Sequence, residues 1–466
     1  MALVYKQIHT EGIALLSYII GDDSTGEAAV IDPRPDPEIY LNEALEMGVA
    51  ITSIFETHIH ADFMSGSREL ALQTPGAKIY ASEEGGAEYD FDHESIRDGD
   101  RFRFGEVVLT ARHTPGHTPE HISYEVAEEG RTDDPWGVFT GDSLFVESAG
   151  RPDLLGEDQS EELAEKLYDT LYQYYGKLRD DVMILPGHGA GSPCGADIGA
   201  RLMSTIGYEK RTNQFLEFEG RKEEFVKFAL DAPEEPVYYQ RMKKLNARGP
   251  EPTDGLPRVQ GMSPELFKKA VGDCSKVEVI DTRPALAFGG GHVPGAKNIW
   301  AKPMLSIWAG WLVDPDKEIY LILDFDSSLN RVVSYFNRVG LNCFGGYLVG
   351  GMDAWVRKGL PIKETPQVPV HELRKLIDQN NDNFQLLDVR TEEEYKEGRI
   401  DGAIHLFLPD IPENATDRLN PDTPTVTYCE SGYRASIAAS LLERAGFKNV
   451  KTVPGSWLAW KAMKAS

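Results

Sequence analysis

Residues 57–68 read THIHADFMSGSR. Two histidines and an aspartate in T-H-x-H-x-D spacing follow the apolar stretch ITSIFE, so His58, His60 and Asp62 stand at the end of an expected strand. This is the layout of half a metal site. The next position, where another imidazole would help to hold a second ion, is Phe63. A benzyl group donates no lone pair, and its bulk dries the space that a second ion and a bridging hydroxide would fill. The stretch therefore points to a site for one metal.

Further along, more ligand-type residues sit at strand ends: His117 in TPGHTPEH, Asp142 in FTGDSLF and His188 in LPGHGAG. Any one of them alone is most simply a capping or buried residue, but the whole set in order makes that account poor. Around them, residues 1 to about 245 alternate apolar strands (IALLSYII, EAAVID, AKIYAS, EVVLTARH, WGVFTGD, DVMILPGH) with the helical stretches EIYLNEALEMG and SEELAEKLYDTLYQYYGKL. Loops at strand ends are where α/β folds place functional groups on a rigid scaffold. Residues 246–262, NARGPEPTDGLPRVQGM, are rich in Gly and Pro and without a period, which predicts a linker and a new unit from Ser263.

Beyond the linker the chain repeats itself. VEVIDTRPALAFGGGHVPGAKNI (277–299) and FQLLDVRTEEEYKEGRIDGAIHL (384–406) share a strand, D-x-R, a helix start and a G-x-x-x-G-A turn. Each is followed by a second strand, a helix and a closing GGMDAW or GSWLAW segment, and PIKETPQVPV joins the copies. Three α/β domains are expected, over 1–250, 263–362 and 366–466. In the last copy the strand TPTVTYC runs into CESGYR and a helix. Loop N–H groups and the helix dipole aimed at a strand-end sulfur favour its anionic form, which makes Cys429 the expected nucleophile. The equivalent stretch of the first copy, IYLILDFDSSLNR, has no cysteine. That copy is expected to be inert, with Cys274 and Cys343 structural.

The first domain resembles the metallo-β-lactamase superfamily, which implies an N-terminal αββα sandwich. Within it the pattern is similar to the persulfide dioxygenases, whose single iron is held by two His and one Asp. By motif match these are His58, His117 and Asp142, with one Fe(II) per chain. Two imidazoles and a carboxylate leave open positions on Fe(II) for O2 and a sulfur substrate together. Phe63 departs from that branch, which often keeps His there. His60, Asp62 and His188 would then orient ligands or hold water or substrate; with zinc, His60 would complete a tetrahedral shell. SAGRPDLLG resembles the G-R-x-D segment of the same enzymes, so Arg151 either faces an anionic substrate tail or pairs with Asp153. Cys194, six residues past His188, is a candidate persulfide carrier.

The repeated units resemble rhodaneses through D-V-R (388–390), G-A-I-H (402–405) and C-x-x-G-x-R. The resemblance implies that Cys429 carries a sulfane sulfur in a cradle of Glu430, Ser431, Gly432 and Tyr433, with Arg434 closing the loop or binding an anionic substrate. The whole chain resembles bacterial fusions of a persulfide dioxygenase with tandem rhodanese domains. The implied substrates are a small persulfide (of glutathione, coenzyme A or a similar thiol), O2, and sulfite or thiosulfate. Rival readings are a zinc thioester hydrolase or lactonase fused to a sulfurtransferase, and a non-catalytic sulfane-sulfur carrier.

Bulk properties agree. At 466 residues, two to four domains are expected. A net charge of -27 argues against nucleic acid or an anionic membrane as partner. Four scattered cysteines, Cys194, Cys274, Cys343 and Cys429, argue against a disulfide framework or zinc ribbon. No long apolar run appears, and MALVYKQIHTEG does not read as a signal peptide, so a cytoplasmic protein is expected. A homo-oligomer is expected from its size.

Overall fold

The computed structural model of the chain describes residues 3–132, 134–232, 235–379 and 383–465. The chain divides into two units, Met1–Leu256 with Asn337–Gly340, and Pro257–Phe336 with Leu341–Ser466.

The first unit holds two six-stranded sheets. One runs in chain order through β1 (Leu3–Thr10), β2 (Leu15–Asp22), β3 (Glu27–Ile31), β4 (Ala50–Phe55), β5 (Lys78–Ser82) and β6 (Glu94–Ile96). The other runs from β7 (Arg101–Phe104) through β8 (Val107–His113), β9 (Ile122–Glu128), β10 (Gly137–Gly141) and β11 (Met183–Pro186) to β12 (Ser204–Thr205). Alternate residues of a strand face opposite sides, so each sheet can bury both faces. Leu16, Tyr18, Ile20, Ala29 and Ile31 meet Leu109, Ala111, Tyr124, Val126 and Phe139 between the sheets. On the outer faces Ile19, Ala28 and Val30 pack with Tyr40 and Ala44 of the helix Glu38–Met47, while Val138 and Ile184 pack with Ala164 and Leu167 of the helix Glu157–Asp169. The layers are therefore helix, sheet, sheet, helix.

Three details depart from the sequence reading. Strands β1, β6, β7, β9 and β12 are additional to the apolar runs; β1 and β7 are only partly buried and read as polar. The helix after Asp142 gives way at Thr170–Tyr174 to a π-turn and then a short 3-10 turn. The wider turn lets Thr170 Oγ1 donate to the Pro115 carbonyl at 2.7 Å, beside the TPGH loop. The expected linker does not begin at Asn246, because the helix Tyr239–Arg248 runs through it and Asn246 is buried.

The second unit contains two parallel sheets. The Cys-less copy orders its strands β13 (Gly261–Met262), β17 (Phe344–Leu348), β16 (Ile319–Ile322), β14 (Glu278–Asp281), β15 (Lys297–Asn298). The other copy orders β19 (Ile404–His405), β18 (Gln385–Asp388), β20 (Thr425–Tyr428), β21 (Val450–Thr452). Near-continuous apolar strands such as IYLI and QLLD suit sheets covered on both faces. No helix among the described residues is long and apolar enough to cross a membrane.

Candidate functional site

His58 follows β4, His117 lies in the loop between β8 and β9, and Asp142 follows β10 directly. Donor atoms of these three buried residues lie within 4.8 Å of one another. Asp142 Oδ2 stands 3.8 Å from His58 Nε2 and 3.7 Å from His117 Nε2. Donors each about 2.1 Å from a common ion are spaced in this way.

The surrounding hydrogen bonds fix the tautomers. His117 Nδ1 meets the Arg151 carbonyl at 2.9 Å, and a carbonyl only accepts, so Nδ1 carries the proton and Nε2 a lone pair. Thr57 Oγ1 gives its proton to Asp32 Oδ2 at 2.9 Å, so it accepts from His58 Nδ1 at 2.9 Å, again leaving Nε2 bare. Burial pushes both imidazoles down from their ordinary pKa, helped at His58 by the neighbouring histidines and opposed at His117 by Asp142. Both are therefore neutral and able to donate. Burial would raise the Asp142 carboxyl, but His188 and His117 outweigh it and hold it below the usual carboxylate range. His58 Nε2 and Asp142 Oδ2 are buried without a hydrogen-bond partner, which is costly unless a cation completes the site. The donor set fits a divalent metal.

Backbone geometry is part of this arrangement. Gly116, at φ +145°, brings the TPGH loop so close to the helix behind it that a Cβ would stand 2.5 Å from Leu167 Cα. Any other residue there would push His117 away.

His188 bridges two carboxylates, Nδ1 to Asp142 Oδ1 at 2.7 Å and Nε2 to Asp62 Oδ2 at 2.8 Å. Burial lowers its pKa, but the two aspartates win and push it up to about 10. Asp142 thus turns one oxygen to His188 and the other toward the histidine pair. Asp62, His188 and Cys194 form a second buried three-donor group. His60 stands outside the triad: its Nε2 faces Glu56 at 3.1 Å and Asp32 at 3.2 Å, and it groups with those two carboxylates. Phe63 is fully buried, its ring 4.4 Å from the His60 ring and 6.4 Å from His188.

At Arg151 the structure shows one of the two expected alternatives, and at Cys194 it shows a geometry different from the expected one. The Arg151 guanidinium is engaged by both oxygens of Asp153, at 2.7 and 2.6 Å, which is the ion-pair arrangement and not a free anion receptor. Cys194 is buried, 3.7 Å from the Tyr239 hydroxyl, and burial pushes its thiol pKa well up. A persulfide carrier works as a thiolate, which this raised pKa disfavours, so the environment of Cys194 is wrong for that role. Residues not singled out from sequence also shape the centre. His121 Nε2 accepts the Asp142 N–H at 3.1 Å, and its H-x-x-x-H spacing from His117 was a usable signal. Asn246 Nδ2 donates to the His60 and Phe63 carbonyls at 2.7 and 2.8 Å and holds the HIHADF turn. Nothing in the run NARG announces that contact.

The thiol site lies in the second unit. Cys429 is the residue after β20, its N–H donates to Ser456 Oγ at 3.2 Å, and its sulfur accepts the Gly432 N–H at 3.1 Å. Gly432 takes φ +104°, a left-handed value that favours glycine, and caps the helix Tyr433–Arg444. Ser431 is exposed, and the Glu430 carboxylate lies 3.4 Å from Lys461 and 3.5 Å from Arg390. Arg434 pairs both arms with Glu394, each at 2.6 Å, so it ties the loop to the neighbouring helix Glu392–Glu397 instead of presenting a free cation.

Comparison with known proteins places these sites. The pattern of the metallo-beta-lactamase superfamily matches residues 14–188, and that of the rhodanese-like domain matches 263–358 and again 369–463. A crystal structure of a metallo-beta-lactamase from Staphylococcus aureus subsp. aureus COL is 34% identical with a TM-score of 0.66, covering 75% of this chain and 99% of that one. The mitochondrial persulfide dioxygenase ETHE1 of Homo sapiens is 29% identical over 226 residues, 48% of this chain and 80% of that protein. The cytoplasmic hydroxyacylglutathione hydrolase of Arabidopsis thaliana is 34% identical over 173 residues, 37% of this chain and 62% of that protein. With a buried His/Asp metal site in its first fold and a cysteine loop in its last, the chain is an enzyme that belongs to the metallo-beta-lactamase superfamily and carries two rhodanese-like domains.

Proposed function

We propose that the chain oxidises a low-molecular-weight persulfide to sulfite and thiol at one iron(II), and transfers sulfane sulfur, with thiosulfate as donor or product, through a Cys429 persulfide. Residues 1–250 carry the oxidation, 263–362 are the inert copy, and 366–466 carry the transfer. The observation that supports the reading best is the convergence of two neutral imidazoles and one carboxylate oxygen, His58, His117 and Asp142, beside a phenylalanine that offers no lone pair. Likeness to the human persulfide dioxygenase points the same way.

His58, His117 and Asp142 would hold the iron(II), which when bound would supply the redox chemistry for a reaction with O2. The chain's own residues do the rest. Asp142 orients through His188, Phe63 keeps one side of the site dry, and Thr57 and the Arg151 carbonyl hold the imidazole tautomers. The oxidation balances as RSSH, O2 and H2O giving RSH, sulfite and two protons; the terminal sulfur loses the four electrons that O2 accepts. The transfer is redox-neutral. The Cys429 thiolate attacks the outer sulfur of thiosulfate, the S–S bond breaks and sulfite leaves; a second nucleophile then takes the outer sulfur and restores the thiolate.

A zinc thioester hydrolase or lactonase is the second reading. It is favoured by the Asp62, His188 and Cys194 group next to the triad, by the unpartnered His60 Nδ1, and by the likeness to hydroxyacylglutathione hydrolase. Metal analysis after anaerobic loading with Fe(II), with O2 uptake on adding glutathione persulfide, decides between them. One iron per chain and sulfite matching the O2 consumed are expected; two zinc ions and no O2 uptake would overturn the dioxygenase.

A further inference from the structure

The Cys-less copy meets the Cys429 copy along one face of the helix that the thiol loop opens. Tyr433, Ser436, Ser440 and Arg444 recur at three- and four-residue intervals of the helix Tyr433–Arg444, so they share a face. Each has a polar partner in the other copy. The Tyr433 hydroxyl donates to the Trp300 carbonyl at 2.8 Å, and Ser436 Oγ donates to Asn298 Oδ1 at 2.6 Å. Ser440 Oγ accepts the Asn298 N–H at 3.1 Å, and Arg444 donates to the Gly295 and Cys274 carbonyls at 2.7 and 2.9 Å. Next to it Glu443 lies 3.3 Å from His292 and 3.2 Å from Lys363.

This is an unusual face for a helix packed only to hide apolar surface. Ser436 and Ser440 are buried, and buried hydroxyls persist where partners satisfy them. Their partner is itself tied down: Asn298 Nδ2 donates to the Asp281 and Arg283 carbonyls, the D-x-R segment of the Cys-less copy. A chain of fixed groups thus runs from that segment through Asn298 and Trp300 to the first residue of the catalytic helix.

Tyr433 is the point where this chain reaches the chemistry. It follows Gly432, whose N–H meets the Cys429 sulfur and whose left-handed backbone has no side chain to hold it. We propose that Tyr433 is a positioning residue: its bond to the Trp300 carbonyl fixes the peptide that aims the Gly432 N–H at the sulfur. The Cys-less copy is then half of the sulfurtransferase site. This rests on Cys429 being the sulfur carrier. A donor aimed at a charged sulfur in a dry setting works only if it is held in direction, and the hold comes from the neighbouring copy.

The test uses the full iron-loaded chain with Tyr433→Phe, which removes one hydroxyl. Thiocyanate formation from thiosulfate and cyanide is expected to fall about fivefold in kcat, a loss on the scale of one hydrogen bond, with KM changed less than about twofold. Iodoacetamide should alkylate Cys429 more slowly by a similar factor, and O2 uptake with glutathione persulfide should report that the rest of the chain is folded. Arg444→Gln loosens the far end of the same face and tells positioning apart from assembly. Unchanged kcat and alkylation in Tyr433→Phe, a change in KM alone, or an equal loss in Arg444→Gln would each overturn the proposal. Transfer that persists in Cys429→Ser would instead sink the assignment of Cys429 itself.

Discussion

In the Cys-less copy Arg283 Nε lies 2.9 Å from Asp281 Oδ1, and its Nη2 lies 2.6 Å from Asp281 Oδ2 and 2.8 Å from the Gly291 carbonyl. In the other copy Arg390 makes the same contacts to Asp388 and the Gly398 carbonyl at 3.0, 2.7 and 2.7 Å. A buried ion pair that loses one partner costs about 3–5 kcal/mol, so both copies keep this brace to hold their fold. The copies part at the strand end. Strand pairing sets Asp281 opposite Ile322 and Asp388 opposite Tyr428, so the next residues, Leu323 and Cys429, correspond. Leu323 is buried as packing. Three residues on, Asp326 stands where the other copy has the left-handed Gly432; its backbone takes no positive φ, and its carboxylate accepts the Gly350 N–H at 3.1 Å. Architecture and chemistry are therefore separable within one fold, and what the inert copy has lost is the cradle as well as the thiol.

The largest effect that would break this comparison comes from Cys429→Ser. A hydroxyl forms no persulfide, so thiocyanate production should fall at least about 10³-fold while sulfite formation from glutathione persulfide continues. Loss of both would mean that the two centres are not independent. Placing a thiol in the inert copy sharpens the point: Leu323→Cys in the Cys429→Ser background should restore less than about 1% of transfer, because the loop there lacks the left-handed turn that Gly432 makes beside Cys429. Asp142→Asn acts at the other centre. It should lower retained iron at least about tenfold by elemental analysis and remove O2 uptake, with thiocyanate formation intact.

The metal triad was legible because each of its members ends an apolar strand, and the fold because those strands alternate with helices of clear period. The thiol loop was legible for the same reason. What the sequence did not reveal are contacts made by distant residues. Asn246 sits in a stretch whose Gly and Pro content signals a linker, yet it seats the HIHADF turn through two carbonyls. Asp32 and Glu56 hold His60 away from the triad, and neither is distinguished from any other strand-end acid until the sheets are packed. The Arg151–Asp153 pair was legible as one of two alternatives because the partners are two residues apart, whereas Glu394, which meets Arg434, lies far away in the chain and that pairing is invisible without coordinates.

The Arg434 pair gives the next smaller effect. Its two charge-assisted bonds to Glu394 join the helix that follows Cys429 to the helix that follows D-V-R, whose start is itself fixed by the Thr391 capping box. Glu394→Gln keeps the shape and removes the charge. The expected result is a loss of about tenfold in transfer kcat, measured as thiocyanate, with O2 uptake unchanged. A rise in thiosulfate KM without a fall in kcat would show that Arg434 meets the anion directly after all.

The smallest effect should come from Ser456, and it probes the comparison most finely. Ser456 adopts φ +46°, where the equivalent residue of the inert copy is Gly351 at φ +56°. A left-handed serine is strained by about 1 kcal/mol, and here its hydroxyl accepts the Cys429 N–H at 3.2 Å and donates to the Val453 carbonyl at 2.8 Å. Ser456→Gly makes this position of the active copy like the inert one. It relieves the backbone while leaving the buried Cys429 N–H without its acceptor, so the two terms nearly cancel in stability and the melting temperature should move by no more than about 2 °C. Transfer has no such compensation. The loop entering at Cys429 loses one of its anchors, and kcat for thiocyanate should fall about threefold. An unchanged kcat would mean that the serine is retained for packing, and that the difference between the copies lies wholly in Cys429 and the turn at Gly432.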